Sequence, residues 1–303
     1  MAGISKMLTT LRRVLVTGSR GQLGRCLQDH NLTDLEAIFL DRSKFDLTKK
    51  SSMEEALDEY KPDYIVNCAA YTNVDGAESD PDTAANVNHF GVMDLANLCA
   101  ERRIKIIHIS TDFVFDGKAR KPYQPDDPCS PVAVYGQTKL LGESALAQIL
   151  PEDTMIIRTS WLYSEYGANF VKTMLRLFET KDSFRVVHNQ QGSPTYAQGL
   201  AALIWHVLES RQFAAGVYHW SDKGVTTWYD FANEIGSRGL AKGLIRTKGA
   251  VLPILSSEYP AAAERPMYSA LYIYPTLKRY PKIRQLPWRD RLDQMLDALN
   301  LSH

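Results

Sequence analysis

The stretch Thr17-Gly18-Ser19-Arg20-Gly21-Gln22-Leu23-Gly24 restricts this chain more than any other, because its glycines fall three apart between a strand-like run and a helical one. Arg13-Val14-Leu15-Val16-Thr17 reads as a short buried strand, and Leu23 and Leu27 lie on the helix that follows. Glycine lets the backbone turn sharply and come close to a pyrophosphate. The helix start then offers unpaired N–H groups and a positive dipole end. Such a triad can be purely structural. A strand before it, a helix after it and an acidic residue closing the second strand make it a dinucleotide site.

The pattern continues in that sense. Strands are expected at Ala37–Leu40, Tyr64–Cys68, Lys105–Ser110 and Thr154–Arg158, with helices at Ser52–Tyr60, Pro81–Glu101 and Val134–Gln148. Pro62 closes the first of these helices, and the proline-rich stretch Lys121–Pro131 is a loop. Strands that alternate with helices require right-handed crossovers and a parallel sheet, so the fold class is α/β, doubly wound and Rossmann-type. With 303 residues there is room for a smaller companion lobe. Beyond Arg158 the pattern loosens, with helices near Ala168–Glu179, Gly199–Glu209 and Trp228–Gly236; Thr227 is the N-cap of the last. Residues 1–160 are therefore read as the NAD(P)-binding domain. Residues 161–303 are read as mainly an α+β substrate-binding lobe, with some segments returning to the first. The Pro-, Tyr- and Arg-rich tail suits a lobe built from loops.

Lys plus Arg (35) equals Asp plus Glu (35), so no basic excess points to nucleic acid, and an anionic ligand must be held by local groups. The four cysteines (Cys26, Cys68, Cys99, Cys129) are far apart and form no CxxC pair, which argues against a metal site and for reduced thiols. Met1–Arg12 holds no apolar run long enough for a signal peptide or a membrane span. Cytoplasm is the expected location.

Two groups of residues carry the chemistry. Asp41 stands where a carboxylate bonds the adenosine ribose, which favours NAD. Arg20, Arg42 and Ser43 stand where they can hold a 2′-phosphate, which favours NADP; Asp46 and Leu47 border the adenine. Tyr135 and Lys139 are four residues apart and share a helix face, so the ammonium can stabilise a phenolate and bond the nicotinamide ribose. Ser110-Thr111-Asp112 closes the fourth strand, at the sheet edge where open parallel sheets bind ligands, and a hydroxyl there can polarise a carbonyl. His108 and His188 are read as structural, since the Tyr–Lys pair needs no histidine base. Glu143 is read as supporting its helix, and Arg158 as buried against an unnamed partner.

Together with Asn67-Cys68-Ala69-Ala70-Tyr71-Thr72-Asn73-Val74-Asp75, Ser110 to Gly117, Tyr135 to Glu143, Arg158 to Tyr163, Asn169 to Leu175, Gln190 to Thr195 and Arg265-Pro266, these motifs resemble the extended short-chain dehydrogenase/reductase superfamily. More narrowly, the chain resembles the dTDP-4-dehydrorhamnose reductases along nearly its whole length. That resemblance implies reduction of the C4 ketone of dTDP-4-dehydro-L-rhamnose to dTDP-L-rhamnose by NADPH, with NADH also open. It implies Thr111, Tyr135 and Lys139 as the catalytic triad. It implies cofactor contacts from Gly18, Arg20, Gly21, Gln22, Leu23, Gly24, Asp41, Arg42, Asp46, Leu47, Ala69, Ala70, Tyr71, Thr72, Tyr135 and Lys139. Thr111, Asp112, Tyr135, Trp161 and Arg265 would meet the dTDP-sugar, with an aromatic face of Trp161 lining the pocket. Many family members carry a glutamate in the first helix that helps bind Mg²⁺ between subunits. Here that position is Cys26, so a magnesium-linked dimer is not expected, while another homodimer is allowed. Met267-Tyr268 also depart from the family's small or polar residues beside the sugar. Two rivals stay open. One is a non-catalytic NADP-binding regulatory subunit like methionine adenosyltransferase β; the other is a different sugar-nucleotide reductase, epimerase or dehydratase.

Overall fold

The fold is taken from a computed structural model that describes residues 11–301, so all but the last two residues of the Met1–Arg12 segment read for a leader lie outside it. β1 (Arg12–Thr17), β2 (Leu35–Leu40), β3 (Tyr64–Asn67), β4 (Lys105–Thr111) and β5 (Thr154–Thr159) pair in parallel, and a late strand, Gly216–Trp220, adds to the β5 edge. The order across the sheet is Gly216–Trp220, β5, β4, β3, β1, β2. The chain reverses direction of travel between the adjacent strands β1 and β3, which is where such sheets open a ligand crevice.

Successive strand residues point to opposite faces, and both faces are covered. Val14, Val16, Val66, Ile107 and Met155 pack under α1 (Gln22–Gln28) and the helix Ala197–Glu209. Leu15, Ile65 and Ile106 face α2 (Lys50–Tyr60), α5 (Gly91–Arg102) and α6 (Val134–Ile149). The nearly unbroken apolar strands follow from this double burial. Thr17, Asn67 and His108 lie two residues beyond Leu15, Ile65 and Ile106, in the same register and on the same face. A polar row thus crosses three strands at the carboxyl end of an otherwise apolar sheet.

Two elements differ from the sequence reading. The long helix expected over Pro81–Glu101 runs as α4 (Pro81–Ala85), a π-type turn (Asn86–Phe90) and α5, preceded by a short α3 (Val74–Ser79). The wider turn puts Asn88 inside, where its amide accepts from Tyr71 N at 2.9 Å and donates to Tyr71 O at 3.0 Å. Gly91 packs so closely on Leu47 O that no side chain fits. The loop-built tail contains a real helix, Trp288–Leu301, whose Leu292, Met295, Leu296 and Leu299 are buried. With the helices Phe170–Thr180 and Trp228–Ala241, and the parallel pair Ser183–Val187 and Ala250–Ile254, it builds a second core around Phe178, Phe231 and Trp288. Thr227 caps Trp228–Ala241 as expected, accepting from Asp230 N at 3.0 Å. Among the described residues, no helix is long and apolar enough to cross a membrane.

Candidate active site

The glycine turn forms a cradle of backbone. Gly18 takes a left-handed φ of +63°, and a side-chain carbon there would come within 2.9 Å of Ala69 N; one on Gly24 would collide with Gly18 O. The cleft above it, of about 810 Å³, is lined by Gly18, Arg20, Gly21, Gln22, Leu23, Gly24, Arg42, Asp46, Leu47 and the Ala69–Thr72 segment. Thr111, Asp112, Tyr135, Lys139 and Trp161 line its far end. A dinucleotide fits this donor set: bare backbone for a pyrophosphate at one end, a phenol and an ammonium at the other.

Asp41 and Ser43 are the expected cofactor residues that stand apart from the lining. The Asp41 carboxylate accepts from Ser43 N at 2.9 Å and Ser43 Oγ at 2.5 Å, and it meets Arg20 Nε at 2.6 Å. Those serine bonds, more than the arginine charge, hold its carboxyl below the usual range. With both oxygens engaged, Asp41 is poorly placed to receive ribose hydroxyls, whereas Arg20 and Arg42 remain largely in solvent. Residues not foreseen also line the cleft, namely Thr83, Val87, Ser160, Gly167, Ala168 and Asn169. Asn169 donates to Gln22 Oε1 at 3.0 Å and caps Phe170–Thr180, tying the cradle to the second half. Its signal in the sequence was a polar residue just before a helix.

At the chemical end, Thr111 ends β4 and Tyr135 opens α6, where Gly136 allows the helix to seat against Phe113 O. Tyr135 hydrogen-bonds with Thr111, and burial pushes its phenol up to about 12. The sequence reading had the lysine pulling that value down; burial dominates, and the phenol is protonated at neutral pH. Lys139 is 2% exposed, donates to Ile109 O at 2.7 Å and lies 3.2 Å from His108 Nε2. Burial, opposed by Glu143 and Cys68, brings its ammonium down to about 8. Asp112 is also buried; desolvation raises its carboxyl to about 6 against hydrogen bonds from Ser269 and Thr111.

His108, read from sequence as structural, therefore touches the catalytic-type lysine. Burial, then the Lys139 charge, hold its imidazole well below the usual histidine value, so it is neutral. Its Nδ1 lies 3.0 Å from Asn67 Nδ2, and Asn67 Oδ1 accepts from Thr17 Oγ1 at 2.7 Å. A clue was legible: Asn67 and His108 directly follow the apolar runs Ile65-Val66 and Ile106-Ile107.

A second cavity, also about 810 Å³, shares Phe113 and Trp161 with the cofactor cleft, so the two meet beside Tyr135. Arg185, Gln190, Ser256, Tyr259, Arg265 and Met267 are among its walls. Trp161 lines both cavities. It takes a strained φ of +47°, stacks on Trp228 at 3.5 Å, and packs so tightly against Gly192 that a carbon there would come within 2.6 Å of the indole. The stack on Trp228 covers one face of the indole, and the side chain, partly buried, borders both cavities. Arg265 is already paired with Asp75 at 2.7 Å, the two linking the 261–267 loop to α3.

Among the described residues, one cluster, Cys26 with Asp29 and Glu165, has metal-ligand spacing. It does not fit Mg²⁺. The Cys26 thiol is buried and pushed far up by that burial, and Asp29 already accepts from Tyr166 and Gln198. A hard cation takes oxygen ligands, not a protonated thiol.

The family model described as RmlD substrate binding domain matches residues 12–301. A dTDP-4-dehydrorhamnose reductase of Aggregatibacter actinomycetemcomitans is 39% identical, over 86% of this chain and 90% of its own. A dTDP-4-keto-6-deoxy-D-glucose reductase of Streptomyces niveus is also 39% identical, over 86% and 88%. The crystal structure of dTDP-4-dehydrorhamnose reductase from Bacillus anthracis in complex with NADP superposes with a TM-score of 0.88 at 35% identity, covering 95% of this chain and 100% of that one.

Proposed function

The chain belongs to the RmlD substrate binding domain family, and from that premise we propose that it reduces the C4 ketone of dTDP-4-dehydro-L-rhamnose to dTDP-L-rhamnose with NADPH. The observation that carries this reading is the junction of the two cavities at Phe113 and Trp161, beside the Thr111–Tyr135–Lys139 cluster. One cavity takes the cofactor and the other the dTDP-sugar.

Bound NADPH supplies the hydride for C4. Tyr135, kept protonated by burial, delivers its phenolic proton to O4. The Thr111 hydroxyl shares O4 with Tyr135 and polarises the ketone. Lys139, as ammonium, stabilises the phenolate left behind and bonds the cofactor ribose. Arg20 and Arg42 receive the 2′-phosphate, and Gly21, Gln22 and Leu23 face the pyrophosphate. Asp112 and Trp161 orient the sugar ring, while Arg265 holds the loop over it. The enzyme works in the cytoplasm, where its four unpaired thiols stay reduced. A homodimer, if formed, does not rest on Mg²⁺.

A second reading concerns the sugar alone. The Streptomyces niveus relative is named for a different 4-keto sugar at the same identity, and Met267 lines the sugar cavity where the family has small or polar residues. The test offers NADPH and each dTDP-4-keto-6-deoxy sugar in turn, following loss of NADPH absorbance and identifying the product. Consumption with the L-lyxo sugar and formation of dTDP-L-rhamnose is expected. Consumption with only another 4-keto sugar would transfer the assignment to it; none at all, with NADP(H) still binding, would favour a regulatory subunit.

A further inference from the structure

The row Thr17–Asn67–His108 ends on Lys139, and all four side chains are at most 2% exposed. Buried polar groups persist only when hydrogen-bonded, and here the partners form one unbranched line. Ala69 N donates to Thr17 Oγ1 at 3.2 Å, Thr17 to Asn67, Asn67 meets His108, and His108 meets Lys139. The line joins the backbone beside the glycine cradle to the ammonium at the chemical end.

Proton bookkeeping along the line is restrictive. With the Asn67 N–H toward Nδ1, the neutral imidazole carries its proton on Nε2 and can only donate to Lys139, which must then be an amine. With the Asn67 carbonyl toward Nδ1, the proton sits on Nδ1, and Nε2 accepts from an ammonium. The amide's oxygen and nitrogen exchange places without changing its outline, and a threonine hydroxyl serves as donor or acceptor. The ammonium is therefore matched only by the second arrangement, whereas the first requires the amine.

We propose, resting on the reductase reading, that His108 is a positioning residue for Lys139: its Nε2 accepts from the ammonium and donates to the amine, so the lysine gives up and regains a proton without leaving its place. Ile109 O takes one Lys139 hydrogen in either state; one more remains for the cofactor ribose or Tyr135, because the ammonium has three hydrogens with one on His108 and the amine has two with its lone pair on His108. The titratable groups around Lys139 are His108 on β4, Glu143 and Tyr135 on its own helix, and Cys68 after β3; Asp112 acts on Tyr135. Arg158 fixes the Glu143 charge, and burial pushes the Cys68 thiol up to about 12. The Cys68 thiol does not titrate near neutral pH and Glu143 is held by three hydrogen bonds from Arg158, so His108 is the neighbour able to follow Lys139, whose ammonium titrates at about 8.

The test compares the wild type, His108→Phe and His108→Gln by pH–rate profile. It adds ¹⁵N NMR of the histidines of the NADP-bound wild type across about three pH units centred on the lysine. Phenylalanine removes the acceptor, so the alkaline limb of kcat should move down by about one pH unit. Glutamine, which can accept and donate, should restore it, with cofactor KM unchanged in both. The NMR should show His108 passing from Nδ1–H to Nε2–H with a midpoint on the wild-type limb. An unmoved limb in a folded His108→Phe, or one tautomer throughout, overturns the proposal. A wild type without turnover would overturn the reductase reading instead, and the tautomer titration would still decide this one.

Discussion

Each half of the molecule sets an arginine beside a buried carboxylate, and the two pairs are built in opposite ways. In the sheet half, Arg158 meets Glu143 with Nε at 3.1 and 3.2 Å and Nη2 at 2.7 Å, and gives Nη1 to Pro125 O at 3.1 Å. In the other half, Arg291 Nε lies 3.7 Å from Asp222 Oδ1, and neither atom has a hydrogen-bond partner. Proximity scores both as ion pairs, but only the first is one in substance. Burial pushes the Asp222 carboxyl up to about 7, overcoming the Tyr196 N–H bond and the arginine charge, and a carboxyl that is neutral much of the time leaves a long, unbonded gap. Burial removes solvent from both; hydrogen bonding decides which stays charged.

The sharpest way to break this comparison is to take away each arginine. Arg158→Met strands a charged Glu143 in the core and should cost about 3–5 kcal/mol in urea unfolding. Arg291→Met lets Asp222 take a proton and should cost on the order of 1 kcal/mol at pH 6. Equal costs would remove the distinction.

Next in size is pH. The folded Asp222 value, about 7, lies above an unfolded value near 4. The folded state therefore binds this proton more tightly. Its contribution is full below about pH 4, falls as pH rises, and is gone above about 7. Asp222→Asn should flatten that decline by a few kcal/mol. A wild-type stability that stays level over the window, or an Asp222→Asn curve parallel to it, would contradict the account.

The smallest expected effect is at a third pair, Arg265–Asp75, which is partly in solvent and joins the two halves. Asp75→Asn should cost under about 1 kcal/mol of stability, yet raise KM for the sugar several-fold while leaving the cofactor KM alone. A change in the cofactor constant instead would show that the loop does not serve the sugar cavity.

What the sequence disclosed follows the same divide. Strands β1 to β5, α6 and the glycine cradle were legible because double burial writes continuous apolar runs and the turn needs glycine. Tyr135 and Lys139 announced themselves by helical spacing. The tail helix was obscured by the prolines and tyrosines before it, although Leu292, Met295, Leu296 and Leu299 keep the 3–4 spacing. The stacking of Trp161 on Trp228 and the contact of His108 with Lys139 depend on neighbours from distant segments, which no local pattern records. Glu143, read as a helix support, is the partner that Arg158 lacked.

The central claim is tested most directly by turnover of dTDP-4-dehydro-L-rhamnose with NADPH deuterated at its reactive carbon, in wild type and Tyr135→Phe. The account predicts dTDP-L-rhamnose carrying deuterium at C4 from the wild type. It predicts a rate lower by about 10²- to 10⁴-fold in the variant, with NADP affinity kept. A wild-type product without deuterium, or a variant that reduces as fast, would contradict it.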